Sequence, residues 1–256
     1  MHDSWNPAQY ERFRRERAQP FQDLLALVEP RQGMQIVDLG CGTGDMTLHL
    51  HERLKAGSTL GVDRSGAMLA QTPAAQGLAF VEQDIRSFEG GPFDLIFSNA
   101  ALHWVPDHPA LLKRLRAMLA PAGQLAVQMP ASDDDIPHQT ARELAQSPEF
   151  RPLLGGFSAR DRLLAPEQYA AWLHKLGFVR QHVRTQVYAH LLESRHEVVE
   201  WTRGALLTDY QKRLKPEQYA RFLDRFTARI IPQLADDRPF LFVQPRLLFW
   251  GALAES

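Results

Sequence analysis

The sequence predicts an α/β fold, in which a parallel sheet carries helices on both faces, and three observations lead to this class. Short apolar runs with a period of about two residues alternate with stretches of helical period over the first half of the chain. Three glycines follow the first of these runs in VDLGCGTGDM. Aspartates stand at or next to the ends of the first three runs. Such alternation supplies the crossover connections that parallel strands require.

The elements of the first half can be assigned in order from these periods and from turn residues. An N-terminal helix is predicted from Pro7 to Val28. Next come strand MQIVDL, a helix from about Met46 to Leu54, strand STLGVD, helix GAMLAQT, strand LAFVEQD, strand FDLIFSN and helix HPALLKRLRAML. After a Pro-Ala-Gly turn, strand QLAVQM ends this part of the sheet.

The pattern of the second half is less regular. The segment after Met129 is polar and rich in turn residues, and we expect the next helix only from Pro166, in PEQYAAWLHKLG. Strand FVRQHVRTQVYAH follows, and a last strand lies near RPFLFVQPRLLFWGA. Two amphipathic helices, near Glu193–Leu207 and Pro216–Ile231, separate these strands, and we expect them to form a small cap over the sheet.

Composition and charge exclude several classes of partner. The 256 residues are 45% hydrophobic and 23% charged with a net charge of −1, so no basic surface for nucleic acid or an anionic membrane is indicated. The single cysteine, Cys41, excludes an internal disulfide, and the histidines show no spacing typical of a metal site. The N-terminus is too polar for a signal peptide, and we expect a cytoplasmic monomer acting on a small molecule.

The glycine-rich turn, Gly40, Gly42 and Gly44, predicts a ligand site at the carboxyl end of the first strand. Glycines allow close approach of a ligand to the backbone, and the following helix start offers free N–H groups. The third glycine arrives one residue early for a dinucleotide fingerprint. Asp38 would repel a pyrophosphate but suits a cofactor with positive charge, such as S-adenosylmethionine. A purely structural turn and an NAD-dependent oxidoreductase remain alternatives.

Further residues fall where an adenosine and a methionine arm need them. Asp63, about twenty residues past the glycines, is suited to two ribose hydroxyls, which NAD would also require. Asp84 can accept a hydrogen bond from an adenine amino group, beside a backbone N–H of Ile85. The segment that begins at Asn99 and Ala100 follows the fourth strand, and we expect its backbone to line the methionine arm.

These motifs, together with GVDRS, MLAQ and PAGQLAVQMP, resemble those of class I S-adenosylmethionine-dependent methyltransferases over residues 34–130. The resemblance implies a Rossmann-like sheet of seven strands with the last strand antiparallel, and it adds Arg64 and Met68 to the cofactor-binding residues. The segments WNPAQYERFRRERAQP, HWVPDH, VQMP, EWTRGALL and PRLLFW are similar to trans-aconitate methyltransferases. That narrower resemblance implies O-methylation of a carboxylate in a small polycarboxylic acid.

One segment departs from the narrower resemblance, because ALLTDYQ carries Thr208 and Asp209 where an arginine and a proline are expected. Another carboxylic acid, a longer acyl group or a carrier-linked malonyl group therefore stays open as the acceptor. A non-catalytic S-adenosylmethionine-binding regulator also stays open, since it would keep the cofactor half and lose the acceptor pocket.

The chemistry indicates which residues would act on the acceptor. A carboxylate with a pKa near 4 is ionised at neutral pH and needs no general base. For an amine, phenol or carbon acid, His103 is the candidate base, and we expect His103 and Trp104 to contact substrate or the transferring methyl group. Tyr10 and Arg17 are candidates for an N-terminal lid, with Tyr10 near the sulfonium and Arg17 pairing with a carboxylate.

These expectations give a single domain over residues 1–256. Residues 1–30 form an N-terminal helical lid segment, and residues 31–130 form the cofactor-binding core. Residues 131–256 form the substrate-side half, with the helical cap at 193–232.

Overall fold

The structure, a computed structural model, describes residues 14–159 and 163–255, and side chains from Ala18 onward within these ranges. The elements in chain order are α1 (Arg14–Leu25), β1 (Gln35–Leu39), α2 (Asp45–Leu54), β2 (Ser58–Asp63), α3 (Gly66–Leu69), β3 (Leu78–Glu82), β4 (Phe93–Asn99), a 3₁₀ turn (Leu102–Trp104), α4 (His108–Ala117), β5 (Leu119–Pro130), α5 (Ile136–Ala145), α6 (Pro166–Lys175), β6 (Phe178–Leu192), α7 (Glu197–Arg203), α8 (Thr208–Gln211), α9 (Pro216–Ile230), a second 3₁₀ turn (Ile231–Gln233) and β7 (Phe240–Leu253).

The seven strands form one sheet in the order β3-β2-β1-β4-β5-β7-β6. Strands β1 to β5 pair in parallel, while β7 runs antiparallel to β5 with Gln128 opposite Leu248. The α/β class, the seven strands and the antiparallel last strand are therefore confirmed. The strand order reverses between β1 and β4, and in such sheets ligands bind beyond the carboxyl ends of the strands at that point.

The chain divides into two compact units by its internal contacts. The sheet unit contains residues 17–131, 163–186 and 245–255, and the helical unit contains residues 132–159 and 187–244. Strands β6 and β7 each run from one unit into the other. The predicted placement of residues 193–232 over the sheet, and the assignment of the chain to one domain, stay predictions.

The core of the sheet unit is built from the inward faces of the central strands. Leu39, Ile96, Val127 and Phe249 are fully or almost fully buried in one apolar cluster, together with Leu115 of α4. Successive side chains of β5 and of β7 point to opposite faces of the sheet. The face that carries Val127 and Phe249 is apolar, whereas the opposite face of these strands carries Gln124, Gln128 and Arg246 among apolar residues.

The helical unit has an apolar core of its own. Phe222 of α9 packs edge-on against Phe150 and stacks on Tyr210 of α8. The Tyr210 hydroxyl accepts a hydrogen bond from the backbone N–H of Ala159 at 3.0 Å. Trp201 of α7 is also buried in this core. Tyr210 and Trp201 thus have structural partners inside the unit.

The sequence-based prediction for the segment after Met129 was wrong, since helix α5 occupies Ile136–Ala145. Asp135, in the polar segment after Met129, caps this helix by accepting the backbone N–H of His138 at 2.8 Å. Ala141 and Leu144 are buried in the core of the helical unit. The predicted helix Glu193–Leu207 is likewise wrong in its bounds, since α7 covers only Glu197–Arg203 and a separate short helix, α8, begins at Thr208.

Candidate active site

The glycine-rich turn between β1 and α2 adopts a backbone that only glycine tolerates easily. Gly40 has φ +86°, and its N–H donates to the Val62 carbonyl at 2.7 Å. A Cβ atom at Gly40 would lie 2.1 Å from the Cβ of Ala101. Gly44 has φ +79° at the residue that precedes α2. The turn therefore closes tightly against the segment that follows β4.

Asp63 is the carboxylate that the structure holds most firmly at this turn. One of its oxygens accepts the backbone N–H of Gly42 at 2.9 Å, and the other accepts the N–H of Ser65 at 2.9 Å. The carboxylate is thus fixed between the glycine turn and the start of α3. A Cβ atom on Gly42, which has φ +57°, would meet no atom within 4 Å, so space is open beside this N–H.

Asp38 is buried beneath the same turn, with 4% of its surface exposed. Its carboxylate accepts a hydrogen bond from the Thr47 hydroxyl of α2 at 2.6 Å. Burial raises the pKa of Asp38 to about 7; the Thr47 hydrogen bond acts against this rise, and the nearby charge of Asp63 adds to it. A cation close to Asp38 would favour its ionised form. The sequence did not indicate Thr47, because the contact depends on how α2 packs against β1.

The predicted adenine-binding residues have other contacts. Both carboxylate oxygens of Asp84 accept hydrogen bonds from the Arg86 guanidinium, which holds the pKa of Asp84 below its usual range. The carbonyl of Ile85 accepts from Arg114 at 2.7 Å. Arg64 is exposed at the end of β2, while Met68 is buried and its N–H is capped by the Ser65 hydroxyl at 3.3 Å.

The carboxyl ends of β4 and β5 carry two amide side chains side by side. Asn99 pairs with Gln128 in the parallel register, and the N–H of Ala100, which has φ +55°, donates to the Gln128 carbonyl at 2.9 Å. The Oδ1 atom of Asn99 is buried and has no hydrogen-bond partner in the described part of the chain. The sequence predicted Asn99 and Ala100 here, and the structure brings them next to Gln128.

His103 and Trp104 lie in the 3₁₀ turn that follows β4, with their ring centroids 4.6 Å apart. Trp104 is 43% exposed, which is unusual for so large an apolar side chain, and His103 is half-buried. Tyr10 lies outside the described residues, as does the side chain of Arg17, whose backbone belongs to α1. Their predicted roles as a lid stay predictions.

Cys41, although it belongs to the glycine turn, is not suited to be a nucleophile. Burial, together with the charges of Asp38 and Asp63, raises the pKa of its thiol well above its usual range. Over residues 14–159 and 163–255, no group of three or more His, Cys, Asp or Glu side chains could hold a metal ion. None of the helices described is long and apolar enough to cross a membrane.

The strand register places the polar residues of this site on one face of the sheet. Asp38 pairs with Phe97 of β4 and with Gly61 of β2, so Asp38, Asn99 and Asp63 point to the same side. Gln128 lies on that side through its pairing with Asn99. Two residues further along β5, Pro130 pairs with Arg246 of β7, so this guanidinium shares the face as well.

Comparison with known proteins identifies the family and the fold of the chain. A family model described as a methyltransferase domain matches residues 10–183. The trans-aconitate 2-methyltransferase of Deinococcus radiodurans is 41% identical over 254 residues, which cover 96% of this chain and 97% of the relative. That of Methylobacterium nodulans is 40% identical, covering 93% of this chain and 94% of the relative. The crystal structure of the YcgJ protein from Bacillus subtilis is similar with a TM-score of 0.61 at 14% identity, covering 93% of this chain and 100% of that one.

Proposed function

The chain belongs to the S-adenosylmethionine-dependent methyltransferases, and we propose that it esterifies a carboxylate of a small polycarboxylic acid, with trans-aconitate as the first candidate. The observation that carries this proposal is the 41% identity, over nearly the full length of both chains, to a protein named trans-aconitate 2-methyltransferase. The polar face of the sheet supports it, because acids lie at one end of that face and a guanidinium lies at the other.

The residues at the glycine turn fit the cofactor of this family. S-adenosylmethionine, when bound, supplies a methyl group activated by a sulfonium, and it also carries an ammonium and two ribose hydroxyls. The Asp63 carboxylate is held in place by two N–H groups, and each of its oxygens keeps acceptor capacity for a ribose hydroxyl. The buried Asn99 Oδ1, which lacks a partner among the described residues, is an acceptor suited to an ammonium. Carboxylates and an amide oxygen, all of which are hydrogen-bond acceptors, are suited to a ligand with positive charge.

Asp38 and Thr47 would tune this end of the site electrostatically. The Thr47 hydroxyl favours the ionised form of Asp38, while burial opposes it. A cationic ligand nearby favours ionisation further, so ligand binding and loss of the Asp38 proton are coupled. We assign Asp38, Asp63 and the turn Gly40–Gly44 to cofactor binding. Asp84, which pairs with Arg86, would have to share its oxygens with an adenine amino group.

On the acceptor side the chain has to orient and desolvate a carboxylate. Because the acid is ionised at neutral pH, no side chain must remove a proton before it attacks the methyl group. The exposed Trp104 and the adjacent His103 follow β4 at the same edge as Asn99, where they would wall off water. Arg17 and Tyr10 remain candidates for the opposite wall, from the sequence alone.

The alternative of a different acid rested on Thr208 and Asp209. In the helical unit the Thr208 hydroxyl donates to the Ala205 carbonyl at 2.6 Å, and Asp209 pairs with Arg213 one turn along the same segment. Both residues therefore have local partners that account for them. Neither observation favours a longer acyl group over trans-aconitate.

The test is transfer of labelled methyl from S-adenosylmethionine to trans-aconitate and to a panel of mono-, di- and tricarboxylates, followed by mild alkali. An alkali-labile product on trans-aconitate is the expected result, because esters hydrolyse under these conditions. A labelled ester on another acid alone would overturn the choice of trans-aconitate. Absence of transfer to every acid, with S-adenosylhomocysteine still bound, would overturn carboxylate methylation and would direct attention to His103 as a base.

A further inference from the structure

Two glutamines of β5 lie on the same face of the sheet but differ in their hydrogen bonds. Gln124, which is 2% exposed, accepts the N–H of Glu29 at 2.9 Å and the indole N–H of Trp250 at 2.8 Å. Its Nε2 donates to the Glu29 carbonyl at 2.7 Å. Gln128, four residues on, is 0% exposed, yet neither its Nε2 nor its Oε1 has a hydrogen-bond partner within residues 14–159 and 163–255.

A buried amide without partners is unfavourable for the folded protein. Each unpaired donor or acceptor loses its hydrogen bonds to water and gains none in return. Gln124 is a buried glutamine with a structural role, because both the oxygen and the nitrogen of its amide make hydrogen bonds within the protein. The amide of Gln128 is the contrasting case, and an unpaired buried group of this kind in a native protein calls for an explanation, of which a ligand contact is one.

Arg246 places a permanent positive charge beside this amide. It lies on the same face as Gln128, one step along the diagonal of the antiparallel β5–β7 pair, and it is 7% exposed. Diagonal neighbours of this kind are within reach of long side chains. A guanidinium cannot lose its charge in this surrounding, and its planar N–H groups suit a carboxylate.

Building on the proposed function, we propose that Gln128 and Arg246 form a subsite that binds a carboxylate of the acceptor other than the one that is methylated. The Nε2 of Gln128 donates to this carboxylate, and Arg246 pairs with it. Asn99, at the next strand, lies between this subsite and the acids of the glycine turn.

The choice of the non-reacting carboxylate follows from the charge change of the reaction. A carboxylate that attacks a sulfonium loses its negative charge as the bond to carbon forms. A cation paired with that carboxylate would stabilise the ground state more than the transition state and would slow transfer. The same cation on a second carboxylate, whose charge does not change, binds both states equally and contributes affinity alone. A polycarboxylic acid offers such a second group.

The two glutamines give a matched pair of variants, Gln128→Leu and Gln124→Leu. For Gln128→Leu we expect an unchanged or higher melting temperature of the ligand-free protein, unchanged affinity for S-adenosylhomocysteine, and a KM for trans-aconitate raised roughly ten-fold or more. For Gln124→Leu we expect a lower melting temperature, because the Glu29 and Trp250 groups lose their partner, with KM unchanged. A lower melting temperature with unchanged KM in Gln128→Leu would overturn the subsite.

The guanidinium of Arg246 is tested with the variants Arg246→Met and Arg246→Lys. Arg116→Met is the control, because the Arg116 guanidinium already has a structural partner: its Nε donates to the Leu176 carbonyl at 3.1 Å. We expect Arg246→Met to raise KM for di- and tricarboxylates and to leave monocarboxylates unaffected, and Arg246→Lys to recover part of the loss. Equal effects on mono- and polycarboxylates would overturn the assignment of Arg246. If Arg246→Met does not fold, Arg246→Gln takes its place, and an unchanged KM for di- and tricarboxylates in that variant would likewise overturn the assignment.

The outcomes also separate this inference from the proposed function. Wild-type methylation of trans-aconitate with unchanged KM in the Gln128 and Arg246 variants overturns the subsite alone. Methylation of a different polycarboxylate, with KM raised in these variants, overturns trans-aconitate as substrate and supports the subsite. If no acid is methylated, calorimetric titration of trans-aconitate into the S-adenosylhomocysteine complex decides, because a wild type that binds no acid overturns both.

Discussion

The raised pKa of Asp38 predicts that cofactor binding depends on pH in a specific window. With a pKa of about 7, this carboxyl is mostly protonated at pH 5.5 and about half ionised at pH 7. If only the ionised form accepts the positive cofactor, the apparent affinity follows the ionised fraction. That fraction rises about fifteen-fold from pH 5.5 to pH 7, which is the expected gain in S-adenosylhomocysteine affinity. Below pH 7 the ligand's own ammonium stays protonated.

The assay is calorimetric titration of S-adenosylhomocysteine at several pH values, in two buffers of different ionisation enthalpy. Binding at pH 6 should release close to one proton in the wild type, since binding ionises Asp38. The control Asp38→Asn keeps an acceptor for the Thr47 hydroxyl, so it tests the charge and not the hydrogen bond. An affinity in the wild type that does not vary between pH 5.5 and 7, or the same slope in Asp38→Asn, would refute the reasoning.

The raised pKa of Asp38 also determines how the free energy of unfolding of the ligand-free protein changes with pH. Because folding raises the pKa of Asp38, the folded protein holds a proton that the unfolded chain has lost between about pH 4 and pH 7. Its contribution to stability is therefore fully present below about pH 4 and is lost as the pH rises towards 7. Thermal unfolding of ligand-free Asp38→Asn should lack this decline, whereas binding of a cation should offset it in the wild type.

Three further substitutions have expected outcomes. Asp63→Ala should weaken S-adenosylhomocysteine binding by about 1–3 kcal/mol by calorimetry, the range for a charged hydrogen-bond partner, and unchanged affinity would contradict the ribose assignment. Gly40→Ala places a Cβ atom 2.1 Å from the Cβ of Ala101 and should lower the melting temperature. Gly42→Ala is the control, because its Cβ would meet no atom within 4 Å, and we expect a far smaller decrease. Equal decreases in the two variants would disprove the clash. Arg17→Ala should impair turnover of the acid while cofactor affinity is kept, and wild-type kinetics at low acid concentration would remove Arg17 from the site.

Local periodicity was sufficient to predict most of the sheet. STLGVD and FDLIFSN match β2 and β4 residue for residue, because these strands are bounded by polar or turn residues on both sides. The sequence does not predict helix α5, because Asp135, the residue that caps it, ends an acidic run that looks like part of a loop. Only the burial of the apolar face of the helix distinguishes the two. Boundaries of the short helices α3 and α8 were equally beyond the sequence, since tertiary contacts decide where so short a helix ends.

The candidate site was partly predictable for a chemical reason. The early third glycine and Asp38 separate an S-adenosylmethionine site from a dinucleotide site, because a pyrophosphate and a sulfonium require opposite charges at the same position. The end of β5 at the rim of the sheet suggests that Gln128 can hydrogen-bond an acid, but the difference between Gln124 and Gln128 was not predictable. Both are glutamines of one strand at positions of equal parity, and only the partners supplied by distant Glu29 and Trp250 distinguish them. These hydrogen bonds depend on tertiary contacts, and the local spacing of residues in the sequence does not predict them.

The distance between the two charged ends of the polar face explains why both can serve ligands. β1, which carries Asp38, and β7, which carries Arg246, are separated by β4 and β5. Asp38 is level with Trp250 of β7, and Arg246 lies four residues further along, so three strand spacings and this offset place the two backbones about 20 Å apart. At that separation their attraction is about 1 kcal/mol, against about 4 kcal/mol for a contact pair under the same effective dielectric. Placed on neighbouring strands, the aspartate and the arginine would pair with each other and would be lost to ligands. Neutral amides on the two strands between them keep the two charges apart, so the role proposed for Asp38 with a cationic methyl donor and that proposed for Arg246 with an anionic acceptor do not conflict.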